Sequence, residues 1–381
     1  MCVKKRNKFY GGDLMDAIRV RQIKACEMLK KAGFDKAIIG DPMAMNYLTG
    51  INIIPYERYY SLVLDANTQE AVMINPSVDT GCMKGTMPEY TYTDEEGPAA
   101  TIKKVVGNCK KLAVEKKYFS MLIGEIFYSI GCEVEDIGDC IARLRMYKDD
   151  SELEFMQMAA KIVDEALEYV KGQIKPGMTE KELNMMLFSF MSKYPGFITD
   201  EQIVYVLAAD NSANPHGVTG DYAFKEGDIV LMDFCAYYKH YWSDITRCFF
   251  VGKIGNPKLA EIYDIVLKAN LAAIAKVKPG VKACEIDKAA RDVITEAGYG
   301  ELFLHRTGHG LGLSVHEEPY ITAVNELVLE EGMTFTIEPG IYIEGVGGVR
   351  IEDDILVTKD GCRTLTSYSK KLEDQIVPVK E

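Results

Sequence analysis

Apolar residues recur along the chain in two rhythms. Ile18, Ile23, Met28 and Leu29 stand among Arg and Lys at helical spacing, and Gly33 sits where a helix-ending glycine belongs. Short apolar runs follow at Ala37-Ile38-Ile39, Tyr60-Ser61-Leu62-Val63-Leu64 and Ala71-Val72-Met73-Ile74. They predict strands that alternate with helical pieces near 42–48 and 98–107. The pattern gives an α/β module ending near residue 140, taken as residues 1–145. The charged stretch Met146-Tyr147-Lys148-Asp149-Asp150 reads as a linker to a second domain over 151–381. That domain opens on a helix: Ser151 and Glu154 have capping-box spacing, and Phe155, Ala159, Ile162, Ala166 and Val170 form one apolar face.

The second half repeats itself weakly. Lys175-Pro176-Gly177 and Lys278-Pro279-Gly280 each separate two helical patterns and lie 103 residues apart. Asp233 follows Glu226-Gly227, and Glu338 follows Glu331-Gly332, each six residues after the glycine and 105 residues apart. Two landmarks at nearly one offset point to a duplicated helix–helix–strand–strand unit with a pseudo-twofold seam. Asp233 and Glu338 are equivalent positions and meet there.

Both are acids inside apolar strands, Ile229-Val230-Leu231-Met232-Asp233-Phe234 and Phe335-Thr336-Ile337-Glu338. Asp244 enters the strand Cys248-Phe249-Phe250-Val251, and Glu352 precedes Ile355-Leu356-Val357. Burying a lone carboxylate costs several kcal/mol. Any one of these acids could pair with a base such as Arg247 or Arg350. Four of them together call for a cation. His309, between Gly308 and Gly310, adds an imidazole, and glycines let a backbone approach an ion closely. Oxygen-rich ligands with one imidazole suit Mn²⁺, Co²⁺ or Fe²⁺, with Zn²⁺ also open. Two such ions sharing carboxylates match the pattern of two-metal hydrolases.

Composition narrows the partners. The 381 residues are 48% apolar and 27% charged, which excludes disorder as the main state. The net charge of −13 disfavours a nucleic-acid partner. No apolar run reaches 18 residues, so no membrane span is expected. The basic start Met1-Cys2-Val3-Lys4-Lys5-Arg6 lacks a following apolar core, and ten cysteines show no CxxC pair. A reduced, cytoplasmic protein is the expectation.

These motifs resemble the creatinase/prolidase/methionine aminopeptidase family with the "pita-bread" fold, and within it the Xaa-Pro peptidases, prolidase and aminopeptidase P. The resemblance rests on the Asp233–Asp244 spacing, Gly308-His309-Gly310, Glu338 before Pro339-Gly340, and Glu352 after Val349-Arg350-Ile351. It spans nearly the whole chain and implies a mixed α/β (α+β) fold, with a creatinase-type N-terminal domain before the catalytic domain. It also implies that Asp233, Asp244, His309, Glu338 and Glu352 hold two divalent metal ions, with Mn²⁺ the first expectation. His216, in Asn214-Pro215-His216-Gly217, and His316 are then expected at the substrate, as hydrogen-bond donors to the scissile carbonyl. Glu338 is the expected proton shuttle for a water held between the ions, and His305 is expected in a supporting role. Arg350 is expected to orient ligand carboxylates or hold substrate. Tyr241 is expected to line the substrate pocket, with Tyr237 and Tyr238 as further candidates. His240 reads as a solvent-exposed turn residue.

The expected reaction is hydrolysis of the bond before proline in a peptide. No Lys or Arg occurs from Leu311 to Val349, where some prolidases carry a basic residue for the dipeptide carboxylate. This tips the reading slightly toward aminopeptidase action. The segments Asn46-Tyr47-Leu48-Thr49-Gly50 and Pro55-Tyr56-Glu57-Arg58 resemble family loops that close over a neighbouring subunit's site, so a homodimer is expected. The alternatives are a metal-free, creatinase-like C–N hydrolase and a catalytically silent binding module. The unsubstituted ligand positions weigh against both.

Overall fold

Strands that are apolar on both faces need cover on both sides, and the first apolar runs of the chain are of this kind. The computed structural model describes residues 12–83, 86–195, 197 and 204–379, with side chains from residue 15 on. The basic N-terminal stretch and Cys2 lie outside the described residues. The chain divides into two compact units, one ending at Arg145 and the other starting at Met146.

The first unit runs α1 (Gly12–Lys31), β1 (Lys36–Ile39), α2 (Pro42–Thr49), β2 (Ser61–Asp65), β3 (Ala71–Pro76), β4 (Glu89–Tyr92), α3 (Ala99–Val106), β5 (Lys111–Val114), α4 (Met121–Tyr128), β6 (Glu133–Asp136) and α5 (Cys140–Met146), whose last residue opens the second unit. Its six strands form one mixed sheet in the order β4-β3-β2-β1-β5-β6. Ile38, Val63, Ile74, Leu112 and Val114 share a core with Ile102 and Val106 of α3. α1 buries Ile18 and Leu29 and ends where Gly33 takes a φ of 83°.

The second unit opens with α6 (Asp150–Lys171), α7 (Glu180–Met191), β7 (Val204–Ala208), β8 (Ile229–Tyr238) and β9 (Tyr241–Val251). It continues with α8 (Pro257–Lys276), α9 (Ala283–Glu296), β10 (Gly308–Gly310), β11 (Glu317–Ile321), β12 (Thr334–Ile337), β13 (Gly340–Ile343), β14 (Gly347–Arg350), β15 (Asp353–Thr358), β16 (Gly361–Thr364) and β17 (Ile376–Val377). Two helices followed by strands thus occur twice. The strands form a four-stranded sheet, β17-β9-β8-β7, a five-stranded sheet, β11-β10-β12-β15-β16, and the β13-β14 hairpin. The apolar faces of α8 and α9 enter one core with Phe335, Ile337, Val349, Ile351 and Ile355.

Three sequence expectations are corrected. The box at the start of α6 uses Asp149 and Glu152, because Asp149 stands one residue before the helix and reaches the Glu152 amide. Ser151 is inside the helix and its hydroxyl donates to Asp149. The stretch 146–150 is no free linker: Lys148 is buried, 2.9 Å from Glu317, and Tyr147 bridges to Met333. Asp244 lies within β9, because every residue of Tyr241–Val251 is buried and extended.

Candidate metal centre

Register brings the first two acids together. β8 pairs antiparallel with β9, setting Asp233 opposite Thr246 and Cys235 opposite Asp244. Opposed residues share a face, so Asp233 and Asp244 are diagonal neighbours on one side of this hairpin. The second pair follows the same rule. β12 and β15 end their ladder at Ile337 opposite Asp353, so Glu338 and Glu352 are the next residues outward on the two chains. β10 pairs with β12 through Gly310 and Phe335 and carries His309 alongside.

Asp244, His309 and Glu352, all buried, each offer a ligand atom within 4.8 Å of the others. His309 Nε2 lies 3.4 Å from Glu338 Oε1 and 3.9 Å from Asp244 Oδ2. Asp233 adjoins them by charge, acting on Asp244, Glu338 and Glu352. Asp233 and Glu338 are the more open of the acids, 26% and 15% exposed.

The electrostatics show what this grouping lacks. Burial first, then the neighbouring acids, push Asp244 and Glu352 well above the usual carboxylate range. Burial raises Glu338 to about 7, against the pull of Arg350. Burial holds His309 well below its ordinary value, so its ring is neutral. Its Nδ1 lies 3.1 Å from the Gly310 carbonyl and donates to it, which leaves the Nε2 lone pair facing carboxylate oxygens. Asp244 Oδ1 is buried with no hydrogen-bond partner. A buried, unpartnered carboxylate oxygen beside a converging imidazole lone pair and a second buried carboxylate is what a cation satisfies, and the set of oxygens plus one imidazole fits divalent transition ions.

Surrounding side chains hold the acids in place. Arg350 donates to Asp233 Oδ2 at 2.6 Å, to the Tyr342 hydroxyl at 2.8 Å and to Thr246 Oγ1 at 3.1 Å. Thr246 Oγ1 donates to Glu352 Oε2 at 2.6 Å. Asp354 accepts from the Ser243 hydroxyl and the Asp244 amide. Tyr342 also lies 2.8 Å from His305 Nε2, and His305 Nδ1 is 2.8 Å from the Arg306 carbonyl. The glycines beside His309 serve the neighbouring strands rather than an ion: a Cβ on Gly308 would fall 1.9 Å from the Thr336 carbonyl oxygen, and one on Gly310 2.2 Å from that of Glu318.

The remaining expected residues are placed as follows. His316 packs edge-on against His309 with ring centres 4.1 Å apart. Desolvation and Arg306 hold it below its ordinary value, and the charge of His216 acts on it. His216 stands on an exposed turn organised by buried Glu180, which accepts from the amides of Ala208 and Gly220 and from the Asn211 side chain. His240 is half-buried, not a free turn residue, and bonds Tyr237. Tyr241 is 4% exposed and its hydroxyl donates to Glu152. That hydroxyl is committed to a buried carboxylate at the start of α6, and the ring packs against Phe155. Sequence reading missed Thr246, Asp354 and Tyr342, and also Asn270 of α8, whose side chain donates to the carbonyls of Ile337 and Ile351, the residues before Glu338 and Glu352. Their signal, polar residues in apolar elements, is too common to single them out.

Metallopeptidase family M24 matches residues 154–359, the stretch that carries all five acid and imidazole positions, and the creatinase/prolidase N-terminal domain matches 21–147. The chain belongs to family M24. This M24 chain is similar to an uncharacterised peptidase of Staphylococcus epidermidis, 38% identical over 360 residues, covering 92% of this chain and 99% of the relative. Among solved structures it resembles an Xaa-Pro dipeptidase from Bacillus anthracis, with a TM-score of 0.86, 34% identity, and 94% and 99% of the two chains covered. It also resembles an X-Pro aminopeptidase from Thermotoga maritima, with a TM-score of 0.83, 31% identity, and 93% and 99% covered. The M24 chain is a peptidase with the pita-bread fold, and its family implies divalent metal ions. Among the described residues, no helix is long and apolar enough to cross a membrane.

Proposed function

We propose that this chain is a metal-dependent Xaa-Pro peptidase whose two divalent ions, Mn²⁺ first among the candidates, are held by Asp233, Asp244, His309, Glu338 and Glu352. The observation that carries the reading is the convergence of ligand atoms of Asp244, His309 and Glu352 within 4.8 Å of one another, with Asp244 Oδ1 buried and without a hydrogen-bond partner. When bound, the ions supply Lewis acidity, which brings a water's pKa toward neutrality and polarises the scissile carbonyl.

The chain's own residues do the rest. Glu338, more open than Asp244 and Glu352, takes up the proton of the attacking water. Arg350 fixes the rotamer of Asp233 through its 2.6 Å bond, and Thr246 does the same for Glu352. His316, held neutral, donates from its ring N–H to the carbonyl oxygen as charge develops there, with His216 as the second donor. A bond to proline is a tertiary amide without an N–H, so recognition beyond the scissile bond falls on the pyrrolidine ring and the carboxyl side of the residue. A homodimer belongs to the same reading, and the mass in solution by light scattering checks it.

The test uses protein stripped of metal and reloaded with Mn²⁺. Ala-Pro or Ala-Pro-Ala is expected to be cleaved before proline, with activity abolished by chelator and restored by metal. A metal-replete preparation that cleaves no Xaa-Pro peptide overturns the reading.

A further inference from the structure

The two halves of the second unit seat their second helix in the same way. The amides of Gly177, Glu180 and Lys181 donate to the carbonyls of Phe224, Tyr222 and Gly220, and those of Gly280, Ala283 and Cys284 donate to Leu329, Leu327 and Asn325. The paired donors are 103 residues apart and the paired acceptors 105. Glu180 and Ala283 are therefore equivalent residues, the first of α7 and the first of α9, and both are fully buried. α9 starts there on a methyl group, so this way of starting a helix requires no carboxylate. Burying one is costly unless donors meet it.

The donors that meet Glu180 all come from one segment. Oε1 accepts from the Ala208 amide at 2.7 Å and Asn211 Nδ2 at 2.9 Å, and Oε2 from the Gly220 amide at 2.6 Å and Asn211 Nδ2 at 3.0 Å. Asn211 Nδ2 reaches the Val218 carbonyl at 3.1 Å as well. One carboxylate thus closes residues 208–220 into a loop. His216 stands on it, its amide bonded to Asn214 Oδ1 at 3.1 Å. The other side of the loop is held separately, since the Gly345 amide donates to Asp210 and the Gly348 amide to Ser212. Glu180 therefore governs the arm 214–220. The charge of His216 reaches His305 and His316, so this arm stands beside the histidines of the metal centre.

We propose that Glu180 is a positioning residue for hydrolysis: it fixes His216 against the substrate carbonyl and leaves the metal ions to their own ligands. The inference rests on the Xaa-Pro reading above and adds to it a residue that touches neither substrate nor metal. A donor to an oxyanion works only where that oxygen will stand, and a shift of about 1 Å can cost about 100-fold in rate. An exposed turn does not hold a side chain to that tolerance by itself. A buried carboxylate does, because an ionised acceptor makes the stronger kind of amide hydrogen bond and its two oxygens take donors from both ends of the loop. Glutamine cannot replace it, since its Nε2 would face N–H groups, donor against donor. Glu180→Ala gives this half the residue of its twin.

The experiment measures Mn²⁺-loaded wild type, Glu180→Gln, Glu180→Ala, His216→Ala and the double variant Glu180→Gln/His216→Ala on Ala-Pro and Ala-Pro-Ala, with circular dichroism for folding and metal content for loading. Glu180→Gln and Glu180→Ala are each expected to lower kcat about tenfold or more, with KM within about threefold of wild type and metal content unchanged. The double variant is no slower than His216→Ala, because Glu180 acts through that residue. Hydrogen exchange gives a readout without turnover: the amides of 214–220 exchange about tenfold faster or more in Glu180→Gln, and those of β8, β9 and β12 exchange as in wild type. The proposal is overturned if either single variant at 180 cleaves like wild type, or if the losses of Glu180→Gln and His216→Ala multiply in the double variant. It is equally overturned if Glu180→Gln unfolds, loses metal or exchanges faster throughout the unit. Failure of wild type to cleave either peptide overturns the Xaa-Pro reading itself, and the exchange of 214–220 then still decides whether Glu180 holds the segment.

Discussion

Asn270 offers a perturbation that separates folding from ligand placement. It is fully buried on α8, and its Nδ2 donates to the carbonyls of Ile337 at 3.1 Å and Ile351 at 3.3 Å. Each of those residues immediately precedes a ligand, Glu338 or Glu352, so one side chain ties together the two backbones that present them. Its Oδ1 accepts from Lys370 at 2.7 Å. Asn270→Leu keeps the volume and removes all three bonds. Each buried carbonyl left without this donor costs about 1–3 kcal/mol. Lys370 keeps Asp353 as a partner at 2.5 Å, so its share is small. The expected loss is about 2–5 kcal/mol, within the 5–15 kcal/mol or so of a typical domain, and is read by urea unfolding of the metal-free protein. Outer partners of a metal site are worth about 10–100-fold in affinity, so Mn²⁺ binding, read by competition with a chelating dye, should weaken by that factor. A variant that loses stability yet binds Mn²⁺ like wild type would refute the reasoning, because Glu338 and Glu352 would then hold their places without the clamp.

Other outcomes rest on the same geometry. Gly308→Ala places a methyl 1.9 Å from the Thr336 carbonyl oxygen, where backbone must move; a loss of about 3 kcal/mol or more is expected in urea unfolding, and a loss under about 1 kcal/mol contradicts the packing of β10. Burial raises Asp354 from 3.8 to about 8, so between those values the folded chain keeps a proton that the unfolded chain has released. The metal-free fold therefore loses stability as pH rises through that window, by up to about 1.4 kcal/mol per unit. His305, pushed down to about 4 by burial, acts in the opposite sense, between about 4 and its ordinary 6.5. Glu338, raised to about 7, and Asp244 and Glu352, raised well above the carboxylate range, act in the same sense as Asp354, so between about pH 7 and 8 the urea midpoint of metal-free protein should fall and Asp354→Asn should make the slope shallower without abolishing it. A midpoint that rises there contradicts the assignment.

What the sequence revealed depended on how far each signal reaches. β1, β2, β3, β8 and β12 were legible because apolar runs mark strands directly, and the metal candidates stood out as acids inside such runs. The start of α6 was misplaced because Asp149/Glu152 and Ser151/Glu154 have the same spacing, and only the fold shows which residue precedes the helix. Lys148 read as solvated linker because a charge in sequence carries no sign of its partner, and Glu317 lies 169 residues away. Asn270 and Tyr342 were invisible for the same reason, since their bonds cross the fold.

Asp233, Asp244, His309, Glu338 and Glu352 are proposed above to hold metal together. The most direct measurement is metal content by plasma mass spectrometry after saturation with Mn²⁺ and desalting, on wild type and on Asp244→Ala. About two ions per wild-type chain are expected, with at least one lost in the variant. Wild type carrying no more than trace metal, or Asp244→Ala carrying as much as wild type, would contradict the account.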